Sequence, residues 1–126
     1  MHRKKPNGIK VLVIDDDKGI RDILRYFLEA EGYSVIEASD GNEGLQLADE
    51  TVDLVITDII MPFRNGFEVI EELNTRYPEL SIIAISGSHI SSAGLMSNGK
   101  ELHIKDAMAK PLELLDLLEK IRKLKL

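Results

Sequence analysis

The chain has 126 residues, no cysteine, and 16 Lys and Arg against 22 Asp and Glu, a formal net charge of −6. That length suits a single domain, the missing cysteines exclude disulfides and thiolate chemistry, and the acidic balance has the wrong sign for gripping a phosphate backbone. No window approaches the roughly 18 uninterrupted apolar residues of a membrane span, and the polar, basic start lacks a signal-peptide core. The expectation is a cytoplasmic protein with no direct nucleic-acid or membrane partner. Residues 1–8, including Arg3, Lys4 and Lys5, form a disordered or extended terminus of no assigned function, and 9–126 form the domain.

Ile9 to Ile14 is a short, mostly β-branched apolar run that stops at three aspartates, as a buried parallel strand would. Ile20, Ile23, Leu24, Phe27 and Leu28 then recur at helical spacing, with Gly32 placed to end the helix. Tyr33 to Ala38 reads as a second strand. Asp40 with Glu43 resembles a capping box opening a helix that carries Leu45, Leu47 and Ala48. Val52 to Thr57 is a third strand ending in Asp58. Gly66 opens a helix with Phe67, Ile70 and Leu73 on its inner face, and Pro78 stops it.

Ser81 to Ile85 is a fourth strand ending at Ser86 and Gly87, and a Ser/Gly-rich stretch follows with a helix over Ser91 to Leu102. Asp106 to Ala109 is a fifth strand before Lys110 and Pro111, and Leu114, Leu115, Leu117, Leu118, Ile121 and Leu124 give an amphipathic closing helix. Strict alternation of buried strands and helices predicts a doubly wound α/β domain: one five-stranded parallel sheet with five helices on its two faces. The last helix reaches the end of the chain, so no output domain is expected within it.

Ligands of open parallel sheets bind beyond the carboxyl ends of the strands. Those ends carry Asp15, Asp16 and Asp17 after the first strand, Asp58 after the third, Ser86 after the fourth and Lys110 after the fifth. Singly, Asp17 reads as the N-cap of the first helix, Ser86 as a turn or cap residue, and Lys110 as a surface lysine. Asp15 and Asp16 cannot both be caps, and several carboxylates at one edge repel unless a cation compensates. Hard oxygen donors of this kind suit Mg²⁺, and Asp58 is the natural partner for Lys110.

Asp15-Asp16 after the first strand, Asp58-Ile59-Ile60-Met61-Pro62 with Gly66 eight positions after the aspartate, Ser86-Gly87 and Lys110-Pro111 together resemble the response-regulator receiver family over essentially the whole chain. The resemblance implies a flavodoxin-like sheet of order 2-1-3-4-5. It implies that Asp58 is the phosphoacceptor, and that Asp15, Asp16, Asp58 and the Ile60 carbonyl hold Mg²⁺. Ser86, Gly87 and Lys110 form the phosphate-binding switch, and Pro111 is a candidate for a cis peptide bond. The donor is a phosphohistidine on a histidine kinase or histidine phosphotransfer protein. The fourth helix, fifth strand and fifth helix face an unidentified downstream protein, and the domain catalyses only its own phosphorylation and dephosphorylation.

Two positions depart from the family pattern, and two more bear on hydrolysis. Ala107 stands three residues before the lysine, where many receivers carry an aromatic residue, so a serine–aromatic coupling is absent. Leu112 replaces the phenylalanine often found after Lys-Pro. Ile60 and Ser88 occupy the positions that tune hydrolysis, and Ile60 cannot orient an attacking water. Two other readings are a pseudo-receiver scaffold, against which the intact acidic set argues, and a haloacid-dehalogenase-type phosphohydrolase. The latter uses an Asp-x-Asp on strand one, which Asp15-Asp16-Asp17 satisfies formally, but it leaves the Asp58 to Gly66 motif unexplained. A flavodoxin-like cofactor module would place a phosphate against three aspartates that repel it.

Overall fold

The computed structural model describes residues 8–61, 65–87, 96–97 and 99–126. The elements run β1 (Lys10–Ile14), α1 (Lys18–Ala30), β2 (Ser34–Ala38), α2 (Gly41–Leu47), β3 (Leu54–Asp58), α3 (Gly66–Arg76), β4 (Ser81–Ser86), β5 (Met96–Ser97), β6 (Lys100–Glu101), β7 (Asp106–Ala109) and α4 (Leu114–Lys123). Strands β2-β1-β3-β4-β7 form one parallel sheet in that order. This is the flavodoxin-like order expected from the sequence. None of the described helices is long and apolar enough to cross a membrane.

Two layers of core follow from the period-two alternation of each strand. Val11, Val13, Leu54, Ile56, Ile83 and Ile85 face α1 and α4, where Leu24, Leu28, Leu117, Leu118 and Ile121 meet them. Leu12, Ile14, Val55, Ile82 and Ala84 face α2 and α3, against Leu45, Val69, Ile70 and Leu73. Fully burying a side chain such as Leu28 or Ile70 contributes roughly 2–3 kcal/mol. These two layers fix the strands whose ends carry the polar residues.

The helix starts obey their caps. Asp17 accepts from the amides of Gly19 and Ile20, Asp40 from Glu43, and Asn65 from Glu68. Gly32 takes φ +96° past the end of α1, the left-handed conformation that favours glycine there. The Glu43 carboxylate reaches back to the amide of Ser39 at 2.6 Å, one residue before the expected cap residue.

One expectation is corrected. The helix over Ser91 to Leu102 is not formed where the segment is described: Met96–Ser97 and Lys100–Glu101 pair antiparallel as β5 and β6, leaving four helices among the described residues. The physical reason visible in the described residues is Gly99, which stands just before β6 at φ +76°, the left-handed conformation that a tight hairpin turn requires. Residues 88–95 of that stretch, with Ser88 and Gly94, lie outside the described residues, as do residues 1–7 and Pro62. On α3 the expected inner-face residues Ile70 and Leu73 are buried together with Gly66 and Val69, and Phe67 packs partly against the same core.

Candidate functional site

Parallel register brings the polar strand ends side by side. Ile14 pairs with Thr57, Asp58 with Ile85, and Ser86 with Ala109, so Asp15, Asp58, Ser86 and Lys110 leave neighbouring strands at one edge. Asp15, Asp58 and Ser86 are almost fully buried, and Asp16 is exposed. Carboxylate oxygens of Asp15, Asp16 and Asp58 all lie within 4.8 Å of one another. Ser86 accepts the backbone amide of Lys110 on its carbonyl at 2.8 Å, and the Lys110–Pro111 bond is cis. Gly87 is exposed, and among the described residues nothing lies within 4 Å of where its Cβ would stand.

Lys110 closes the group. Its ammonium donates to Asp58 Oδ2 at 3.0 Å and lies 3.4 Å from Asp15 Oδ2. The first contact is a hydrogen-bonded ion pair. The second has ion-pair distance without hydrogen-bond alignment, and Asp15 Oδ2 is the one buried side-chain polar atom among the described residues that accepts no hydrogen bond. Asp15 Oδ1 is occupied by the amide of Asp17 at 2.8 Å. Asp58 Oδ1 accepts the amide of Ile60 at 3.2 Å, and the hydroxyl of buried Thr57 donates to the Asp58 carbonyl.

Burial, joined by the charge of Asp58, holds the Asp15 carboxyl above the ordinary carboxylate value of 3.8, although the Asp17 amide and Lys110 pull the other way. Burial alone would lower the Lys110 ammonium. The hydrogen bond to Asp58 and the charges of Asp15 and Asp58 outweigh it and leave Lys110 above its usual value. One ammonium therefore serves two buried carboxylates, with an unsatisfied oxygen left between them.

This donor set fits a hard divalent cation: three carboxylates converge, one is exposed enough to admit an ion, and one presents a buried oxygen that is paired only loosely, with Lys110 at 3.4 Å and no hydrogen bond. A raised carboxyl pKa means that the native state holds the proton more tightly than the unfolded chain. Below pH 3.8 Asp15 is protonated in both states and leaves stability untouched, and its ionisation subtracts stability as pH rises from there to the higher folded-state value. Asp15→Asn keeps an oxygen for the Asp17 amide and is expected to stabilise the metal-free protein at neutral pH by about 1 kcal/mol. Urea denaturation checks this, and a gain of equal size at acid pH would contradict it.

The positions that sequence reasoning passed over are Thr57, Arg21 and Glu37. Arg21 on α1 donates from Nη1 to the Asp15 carbonyl at 2.7 Å and from Nε to Glu37 of β2 at 3.2 Å. Glu37 lies 16 residues away, so no helical or strand spacing links the two. A basic residue in the opening turns of a helix that has no acidic residue in its first turn was the available signal.

The family model for the response regulator receiver domain matches residues 11–122. The chain belongs to that family and is thus a receiver domain of two-component signalling. Among curated relatives, the transcriptional regulatory protein CpxR of Escherichia coli K12 is 33% identical over 114 residues, 90% of this chain and 47% of CpxR. The chain thus spans about half the length of the curated relatives it matches. A CheY-like receiver domain protein from Methanospirillum hungatei superimposes with a TM-score of 0.80 at 31% identity, covering 91% of each chain. The response regulator protein TrrA from Thermotoga maritima, solved in complex with Mg²⁺-BeF, gives 0.78 at 31% identity over 92% of this chain and 98% of TrrA.

Proposed function

We propose that this chain is the phosphoacceptor switch of a two-component system or phosphorelay, taking a phosphoryl group onto Asp58 from a phosphohistidine on a histidine kinase or histidine phosphotransfer protein. Asp15, Asp16, Asp58 and the Ile60 carbonyl would hold Mg²⁺. The observation that carries this reading is the buried Asp58 carboxylate, paired with Lys110 at 3.0 Å and flanked by the unsatisfied oxygen of Asp15. The likeness to a structure in complex with Mg²⁺-BeF supports the same assignment.

The chemistry asked of the chain is mainly positioning. A carboxylate oxygen of Asp58 attacks phosphorus in line, the bond from phosphorus to the donor nitrogen breaks, and the donor histidine leaves with the electron pair and takes up a proton. Bound Mg²⁺ would neutralise charge on the three carboxylates and on the incoming phosphoryl oxygens. Lys110 holds the acceptor carboxylate in place and supplies a second cation beside it. The product adds about −1.5 to −2 of charge and new acceptor oxygens at this edge. By the receiver resemblance Ser86 and Lys110 would turn toward these oxygens, and with Ala107 at the usual aromatic position the response runs through backbone movement or another side chain. The downstream target is a protein that reads this face.

Ile60 bears on how long the signal lasts. Its side chain is apolar and 71% exposed at the rim, offering nothing to orient an attacking water. Ile60→Asn is expected to speed loss of the phosphoryl group by about tenfold, less than a positioned general base contributes. Decay of the phosphorylated mass after removal of the donor measures this, and an unchanged rate would count against it. The assignment of the acceptor is tested chemically. After exposure to acetyl phosphate and Mg²⁺, borohydride reduction and peptide mapping should find homoserine in place of Asp58. Homoserine at Asp15 or Asp16, or at no position, would overturn it.

A further inference from the structure

Arg21 stands where helix electrostatics disfavour a cation: one turn into α1, near the positive end of the helix dipole, in a helix whose first turn holds no acidic residue and begins with Lys18. Its own amide bonds to the carbonyl of the cap residue Asp17 at 3.1 Å, so it belongs to the turn that closes over the β1–α1 loop. Only 14% of its side chain is exposed. A cation held this way has partners that compensate it, and there are two. Nη1 donates to the Asp15 backbone carbonyl at 2.7 Å, and Nε donates to Glu37 Oε1 at 3.2 Å. Glu37 sits on β2, beside β1, in register with Val13. Its other oxygen accepts from Nε of Arg25, one helical turn beyond Arg21.

The rigid fork of a guanidinium makes two bonds in fixed relative directions. Here one direction is anchored on the sheet through Glu37 and the other ends on the peptide of the buried carboxylate. Because the Asp15 side chain also caps the Asp17 amide, the Asp15 peptide sets where Asp15 Oδ2 and the neighbouring Asp16 carboxylate stand. We infer that Arg21, clamped by Glu37, is a positioning residue that holds the Asp15-Asp16 loop in the geometry for binding a divalent cation, an inference that rests on the proposed Mg²⁺-dependent phosphoacceptor. A purely structural role would be the same ion pair serving only to tie α1 to β2. Arg25 separates the two roles, since it shares Glu37 but has no bond to the acidic loop.

The test is Mg²⁺ affinity measured by isothermal titration of the whole chain, alongside urea midpoints in metal-free buffer, for wild type, Arg21→Ala, Arg21→Lys and Arg25→Ala. Losing a group that orients metal ligands weakens affinity by about tenfold or more. Arg21→Ala is expected to show that loss, and Arg21→Lys, which keeps the charge but cannot span both acceptors, an intermediate one. Arg25→Ala is expected to lower the urea midpoint while leaving Mg²⁺ affinity at the wild-type value. Should Arg21→Ala fail to fold, the comparison of Arg21→Lys with Arg25→Ala decides alone. Equal Mg²⁺ affinity in the Arg21 variants and wild type, or equal weakening in Arg25→Ala, overturns the positioning role. Absence of Mg²⁺ binding in wild type itself overturns the underlying reading, and the inference with it.

Discussion

Gly66→Ala is expected to destabilise the fold by about 3 kcal/mol, the upper end of what overpacking usually costs. A Cβ there would lie 2.4 Å from the Asp58 carbonyl oxygen, 2.5 Å from the Ile59 Cα and 3.0 Å from the Ile59 carbonyl oxygen. All three are backbone atoms, held by the β3 ladder and by the Gly66 amide, which donates to the Ile59 carbonyl at 2.7 Å. None can rotate away as a side chain would, so the first turn of α3 must lift off the strand end that carries Asp58. The need is for space, and the better helix propensity of alanine does not offset it. Urea denaturation should show a large fall in midpoint for Gly66→Ala. Gly87→Ala, where nothing among the described residues lies within 4 Å of the added atom, should leave the midpoint nearly unchanged. Similar midpoints for the two variants would contradict the close-approach account.

Lys110→Ala is expected to lower stability in metal-free buffer by about 2 kcal/mol. Removing one partner of a buried ion pair costs about 3–5 kcal/mol in the deep interior, and the figure is smaller here because the lysine side chain is 26% exposed. The loss arises because Asp58 and Asp15 are left facing each other without a cation, their side chains 5% and 2% exposed. Its signature is therefore conditional. Added Mg²⁺ should recover much of the lost stability in Lys110→Ala, since a divalent ion compensates the same carboxylates. A deficit of the same size with and without Mg²⁺ would mean that the lysine acts through packing of its alkyl chain, and an unchanged midpoint would mean that the pairing contributes nothing.

Much of this architecture was legible in the sequence because it rests on local signals. The β-branched runs ending in aspartate or serine mark strands that stop at the binding edge, and the caps Asp17 and Asp40 start helices where their side chains can accept amides. The pairing of Lys110 with Asp58 follows from strand order once the alternation is read. The β5–β6 hairpin leaves little trace in the sequence because each of its strands is two residues long, too short for the period-two alternation that marks the others. On α3 the spacing of Phe67, Ile70 and Leu73 marks the face that meets the core, and Val69 is buried on it too. The Arg21–Glu37–Asp15 connection joins two separate elements and a backbone carbonyl, and such a contact leaves no periodic trace. Likewise Leu115 continues the apolar pattern of α4 yet is 75% exposed, since only the stripe through Leu117, Leu118 and Ile121 meets the sheet.

The measurement that bears most directly on the central claim is the intact mass of the chain after incubation with acetyl phosphate, with and without Mg²⁺, for wild type and Asp58→Ala. The predicted result is one added phosphoryl group in wild type, dependent on Mg²⁺ and absent from Asp58→Ala. No added mass in wild type under any condition, or the same added mass in Asp58→Ala, would contradict it.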